Sequence, residues 1–213
     1  MNALEIVQKA CKKVGYASPA SFTGMSDDQE QVKGWLDDAY NELQLSHESF
    51  DFLEQRFQGP LATGKRIFTT TELNIPECRQ ILGDGYLLDF STSRMISKVT
   101  HVDEDDIKYT ILKEGEATKQ PTRFSFSSSE IRFDSALDGN YRMFFEYYRA
   151  PFVMVAELDE PVFNSEYHNI LYYGILEKYS VEDNDPELYQ YAVGSYQKMF
   201  NRLLLQHGKC PIK

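Results

Sequence analysis

The chain has 213 residues, of which 42% are hydrophobic and 26% charged, with 14 Tyr, 14 Phe and one Trp. That is enough apolar material for one thick-cored domain or two small ones, and it excludes a globally disordered or collagen-like chain. Lys and Arg number 22 against 33 Asp and Glu, a net charge of −11, which argues against gripping duplex DNA through a broad cationic face.

Leu4, Val7, Cys11 and Val14 lie on one helical stripe and predict a helix over 3–14. Asn2 is placed as its N-cap with Glu5 three residues on, Lys12 and Lys13 fill the last turn, and Gly15 follows. After the loop YASPASFTGMS, Ser26 and Gln29 form a capping-box pattern ahead of Val32, Trp35, Leu36, Ala39, Tyr40 and Leu43, predicting a second helix that reaches about residue 48. Its other face, Gln29, Glu30, Lys33, Asp37, Asn41 and Glu42, is polar and suited to water or a partner subunit.

From Phe50 to Ala150, short segments rich in aromatic and β-branched residues are cut by GP, TG, GDG, EG, QP and DG. This predicts an antiparallel β region of six or seven strands. The strand candidates are RIFTTTEL, RMISKVTHV, IKYTILK, TRFSFSS, EIRFD and YRMFFEYYR, with Asp138-Gly139 as a tight turn before the last. Tyr167, Leu171, Gly174, Ile175 and Tyr179 mark a third helix over about 165–181, with Ser165 as its N-cap. Asp185 and Pro186 open a fourth, in which Leu188, Ala192, Ser195, Met199 and Leu203 share a face as far as Gly208. The expected fold is α+β: residues 1–49 and 151–213 supply helix pairs that pack as one helical layer, and residues 50–150 form the central antiparallel β region.

Cys11, Cys78 and Cys210 are far apart, odd in number and without a CxxC pair. Neither a disulfide framework nor a zinc cage is indicated, and a reducing compartment fits. Charges break up the apolar residues of MNALEIVQKACKKVG, leaving no signal-peptide core, and no apolar run approaches the roughly 18 residues of a membrane span. Synthesis in cytosol-like conditions is expected.

Motifs that would carry chemistry are weak. GPLATGKR, residues 59–66, departs from the phosphate-loop pattern: Arg66 stands in place of the magnesium-binding hydroxyl, Pro60 removes a backbone donor, and a strand follows where a helix is needed. A plain hairpin turn explains it better. Asp103, Asp105 and Glu114 match three EF-hand positions, but Ile107 and Lys108 replace the fifth ligand and the turn glycine. His47, His101, His168 and His207 form no close ligand pair, and each reads as a surface or helix-end residue. YRMFFEYYRAPF, with Arg142 and Arg149 at its ends, has the make-up of a base-stacking platform, yet alternating aromatics in a last strand ordinarily pack a core.

In chain order, MNALEIVQKACKKVGYASP, the Trp35 helix GWLDDAYNELQ, the β region ending YRMFFEYYRAP, and DEPVFNSEYHNILYYGILEKYSVEDNDPELYQYAVGSYQKMFNRLL together resemble the head-to-tail adaptor proteins of short-tailed bacteriophages. The resemblance implies a virion structural protein at the head–tail junction, made in the bacterial host cytoplasm, without enzymatic activity or cofactor. It implies a homo-oligomeric ring, commonly of twelve copies, that binds beneath the portal protein. Such a ring lines part of the DNA channel, lets genomic DNA pass without sequence recognition, and gives the tail nozzle or tail fibre proteins a platform; no membrane is involved. Net acidity suits a conduit through which DNA must slide.

The alternatives are a neck-stopper or tail-terminator of a longer-tailed phage and, from another class, a small metal-dependent hydrolase or nuclease. After Glu187 the chain has no acid, while Lys198, Arg202, Lys209 and Lys213 are basic. Such a segment is a candidate arm for reaching another subunit, and because members of the resembled family contact the portal through C-terminal segments, the resemblance makes Lys198, Arg202, Lys209, Cys210, Pro211, Ile212 and Lys213 the portal-docking candidates. Tyr172, Tyr173, Tyr189 and Tyr191, on otherwise polar helix faces, are the intersubunit candidates.

Overall fold

A computed structural model describes residues 1–47, 50–75, 77–114, 117–127 and 129–208. The described residues form five helices, α1 (Ala3–Val14), α2 (Asp27–Leu45), α3 (Glu104–Glu114), α4 (Asn169–Glu182) and α5 (Pro186–His207). Seven strands accompany them: β1 (Glu54–Leu61), β2 (Ile67–Thr69), β3 (Cys78–Asp89), β4 (Met95–His101), β5 (Arg123–Phe126), β6 (Glu130–Phe133) and β7 (Tyr141–Arg149). The fold is α+β, and the chain divides into a helical unit, Met1–Phe52 with Pro151–Lys213, and a β unit, Leu53–Ala150.

Local chemistry accounts for the ends of the helices. The Asn2 side chain accepts from the Glu5 N–H at 2.9 Å and the Glu5 carboxylate accepts from the Asn2 N–H at 3.0 Å, while Gly15 takes the left-handed φ of 85° that closes α1. Gln29 accepts from the Ser26 N–H at 3.0 Å at the start of α2. At the start of α5 the Asp185 carboxylate accepts from Glu187 and Leu188 N–H groups at 3.1 and 2.9 Å, and Pro186 occupies the first turn. Ser165 does not cap α4. It begins a 3-10 turn, Ser165–Tyr167, and His168 stands at the N-cap.

Within the helical unit α4 packs against α1, α2 and α5. Ile170, Leu171, Tyr172, Gly174, Ile175, Leu176 and Ser180 are all buried, so α4 presents apolar residues around nearly its whole circumference. At Gly174 the approach of α2 is so close that a Cβ would lie 2.8 Å from the Cβ of Ala39. Gln44, fully buried on α2, donates to Phe152 O at 3.0 Å and accepts from Phe152 N–H at 2.8 Å. That pair satisfies a polar group which burial would otherwise penalise.

The sheet of the β unit has the order β1-β7-β3-β4-β5-β6-β2. Its core holds Phe57, Leu87, Val99, Phe124, Ile131, Phe133, Met143 and Phe145. β1 and β2 lie at opposite edges, yet only residues 62–66 join them. Six strand spacings laid flat would span roughly 29 Å, whereas the six-residue step from Leu61 to Ile67 reaches at most roughly 21 Å. The sheet is therefore curled. Pro60 lies on edge strand β1, where a missing N–H is tolerated.

Three expectations for this region are corrected. IKYTILK is not a strand but most of α3: Ile107 and Thr110 turn inward at helical spacing, while Tyr109 and Leu112 are exposed. The β region is not wholly antiparallel, because β4 and β5 pair in parallel. The two errors are one, since a parallel pair needs a long crossover and α3 is that crossover. GPLATGKR is no hairpin turn; its first residues end β1, and the rest leads to the far edge of the sheet. β1 and the whole of β3 also fall where no strand was expected, β3 because Gly83-Asp84-Gly85 lies inside it as an irregularity in its pairing with β7.

Two helix-interior glycines give opposite expectations. Gly174→Ala forces α2 and α4 apart and lowers stability by about 1–3 kcal/mol, despite the helix preference for Ala. Gly194→Ala, at an α5 site with open space around it, raises stability by about 0.5–1 kcal/mol. Urea denaturation of the two variants beside the parent chain measures both.

Candidate functional site

The helical unit has a groove of about 530 Å³ between α2, α4 and α5. Gly174 and Ala39 form its floor, the residues whose close approach was described above. Trp35 of α2 and Tyr196 of α5 flank it, and Asp38, Glu42 and Glu177 bring carboxylates to it. Lys178 is the groove's cation, and it is paired with Glu42 at 2.7 Å. Burial, followed by the nearby Glu177 and Glu42, pushes the Tyr196 phenol up to about 12. The groove is thus acidic, aromatic and partly dry, a combination that receives a cation.

Beyond Val181 the surface continues into a second hollow of about 430 Å³, lined by Asn184, Asp185, Pro186 and Tyr189. Tyr189 therefore belongs to the groove side of α5. Tyr191 does not. With about 100° per residue, Tyr191, Lys198 and Arg202 lie roughly 120–160° around α5 from Tyr196. Tyr191 is half exposed, Lys198 and Arg202 are exposed, and Leu205 on the same side is 87% exposed. The Tyr191 ring meets Tyr173 edge-on at 5.9 Å, and the Lys13 ammonium of α1 lies 5.8 Å from its centroid.

The predicted residues are accordingly redistributed. Tyr172 faces inward, buried under the Lys9 ammonium at 4.5 Å, and offers no surface to a neighbour in this conformation. Tyr173, Tyr191, Lys198 and Arg202, expected in two separate roles, share one ridge, and Tyr189 lies apart on the groove side. Lys209, Cys210, Pro211, Ile212 and Lys213 lie outside the described residues. Asp38, Glu177 and Tyr196 were not anticipated, and Trp35 was read only as core. The one linear signal for the groove is the helical stripe Trp35, Asp38 and Glu42 beside the buried stripe of α2.

The weak motifs acquire ordinary partners. Lys65 pairs with Glu72 at 2.5 Å, Arg149 with Glu77, and Arg142 lies 5.6 Å from the Phe90 ring. Tyr141, Met143, Phe145 and Tyr148 of β7 are buried. His168, rather than lying at the surface, is buried at the start of α4 and hydrogen-bonds Phe163 O through Nε2 at 2.9 Å. Among the described residues no group of three His, Cys, Asp or Glu is placed to hold a metal ion, and no helix is long and apolar enough to cross a membrane. Cys11 and Cys78 are buried thiols, and burial pushes Cys78 up to about 12.

Tyr196 supplies a titration test of the groove. A tyrosine with an ordinary value of 10.0 in the unfolded chain and about 12 when folded keeps its proton better in the native state. Its contribution to stability is therefore complete below pH 10 and is lost as pH rises through about 12. NMR of ¹³Cζ-labelled tyrosine is expected to show late-titrating signals from Tyr196 and from Tyr141, which is also pushed up to about 12 by burial; one of them disappears in Tyr196→Phe and moves to lower pH in Glu177→Gln.

Among curated proteins no match is found. The family model described as SU10 adaptor protein, however, matches residues 1–208, which span both compact units and the groove and ridge alike, and the chain belongs to that family.

Proposed function

We propose that this protein is a head-to-tail adaptor of a short-tailed bacteriophage, a virion structural protein whose copies close into a ring beneath the portal. The observation that carries the reading is the adaptor family match over residues 1–208. An adaptor works by contact area and geometry, so no substrate, cofactor or bond-making step is required of it. The ring, of about twelve copies on the family resemblance, surrounds the channel through which the genome leaves and gives the tail nozzle a platform.

The chemistry of the chain is compatible with each part of this reading. A net charge of −11 disfavours the counterion release by which cationic proteins hold DNA. The acid-free segment after Glu187 ends in Lys209 and Lys213, and the residues following Gly208 are proposed as an arm that docks on the portal. Tyr173, Tyr189 and Tyr191, aromatic yet hydrogen-bonding, suit surfaces that must be soluble before assembly and packed after it.

Phage particles made without this chain are expected to be DNA-filled heads without tails, with tail attachment restored by adding the purified protein; electron microscopy of the particles checks this. Tailed, infectious particles formed in its absence would overturn the proposal. Deleting residues 209–213 is expected to weaken binding to portal rings at least about tenfold, as removal of a charged contact segment should, with the circular dichroism of the chain unchanged.

A further inference from the structure

The helical unit carries 18 acidic residues against 9 basic ones, −9 of the chain's −11. Identical units of that charge repel when placed side by side, so their few unengaged cations decide how neighbours can meet. Lys33 pairs with Asp37 and Lys178 with Glu42, so both are occupied. Lys9, Lys12, Lys13, Lys198 and Arg202 make no ion pair with a described carboxylate; Lys9 donates to the Asn169 side chain, and Lys13, Lys198 and Arg202 gather on the ridge beside Tyr191. The acids of the groove lie towards the other side of α5, in a lining they share with Trp35 and Tyr196.

From these two surfaces we infer that a second copy of this chain is the groove's occupant: the Lys198–Arg202 ridge of one copy seats in the Asp38–Glu177 groove of the next. The inference rests on the ring proposed above and deepens it by assigning the two sides of the join. A ring needs a head-to-tail contact between two different patches, and patches on opposite flanks of one helix can repeat around an axis. A guanidinium or ammonium entering the groove meets carboxylates and two aromatic side chains. Leu205 on the ridge and Val181 in the groove, both exposed, add an apolar component. Lys198 and Arg202 then face a neighbouring copy, and portal docking is left to the chain after Gly208.

Isotope-labelled and unlabelled full-length chains, mixed at high concentration and treated with a zero-length carbodiimide cross-linker, give the first test. Mass spectrometry is expected to find labelled-to-unlabelled links from Lys198 to Asp38 or Glu177. Links between other surfaces only, or none between copies, would overturn the inference.

Charge reversal gives the second. Asp38→Lys with Glu177→Lys, and separately Lys198→Glu with Arg202→Glu, should each lower self-association by at least about tenfold in sedimentation, from like charges set opposite one another. Mixing the two variants, or combining all four changes in one chain, should restore it, and failure of both restorations counts against the pairing. Circular dichroism of each variant confirms folding. If links map elsewhere while heads lacking the chain still lack tails, the ridge-and-groove join falls and the adaptor reading stands. If tails form without the chain, the adaptor reading falls whatever the links show.

Discussion

The helical unit depends on the burial of α4 on nearly every side. A helix that is apolar around its circumference must be surrounded, and α1, α2 and α5 surround it. α2 approaches closely at Gly174, where the absence of a side chain lets the Ala39 methyl in. Gly174 and Ala39 also line the acidic groove, so the packing that stabilises the unit shapes that groove as well. α5 completes the arrangement by lying against α4 with one flank turned to the groove and the other to the ridge. Stability and the shape of the groove thus rest on the same few residues, and a change at Gly174 is felt in both.

The features legible in the sequence were those controlled by neighbours a few residues away. Asn2 with Glu5, Gly15, and Asp185 with Pro186 all act within one helical turn; α1 begins and ends, and α5 begins, where those residues require. The β unit was harder to read because its outcome depends on distant partners. In IKYTILK the β-branched and aromatic residues favour a strand locally, but a chain that must return to run parallel beside β4 needs a long crossover, and tertiary packing overrides propensity. Gly83-Asp84-Gly85 resembles a turn, yet it lies within β3, where Gly83 at φ 68° belongs to the irregularity in pairing with β7.

The candidate site was only partly legible, for a related reason. Its acids come from two helices far apart in the chain, so no linear spacing joins Asp38 to Glu177. The tyrosines show how adjacency misleads. Tyr172 and Tyr173 differ by about 100° around α4, which is enough to put one ring in the core and the other beside Tyr191. Tyr189 and Tyr191 differ by about 200° around α5 and fall on opposite flanks. Tyrosines on polar helices are a fair sign of a contact surface, but only the packing of α5 on α4 separates that surface into two.

Chain entry to and exit from the β unit are hydrogen-bonded neighbours: Glu54, at the start of β1, pairs with Tyr148 near the end of β7. The whole excursion from Leu53 to Ala150 therefore leaves and returns through adjacent points, as a cassette spliced into a helical host. The strands and α3 between those paired ends can therefore change in length or shape without rerouting α1, α2, α4 or α5, so long as the two ends stay side by side.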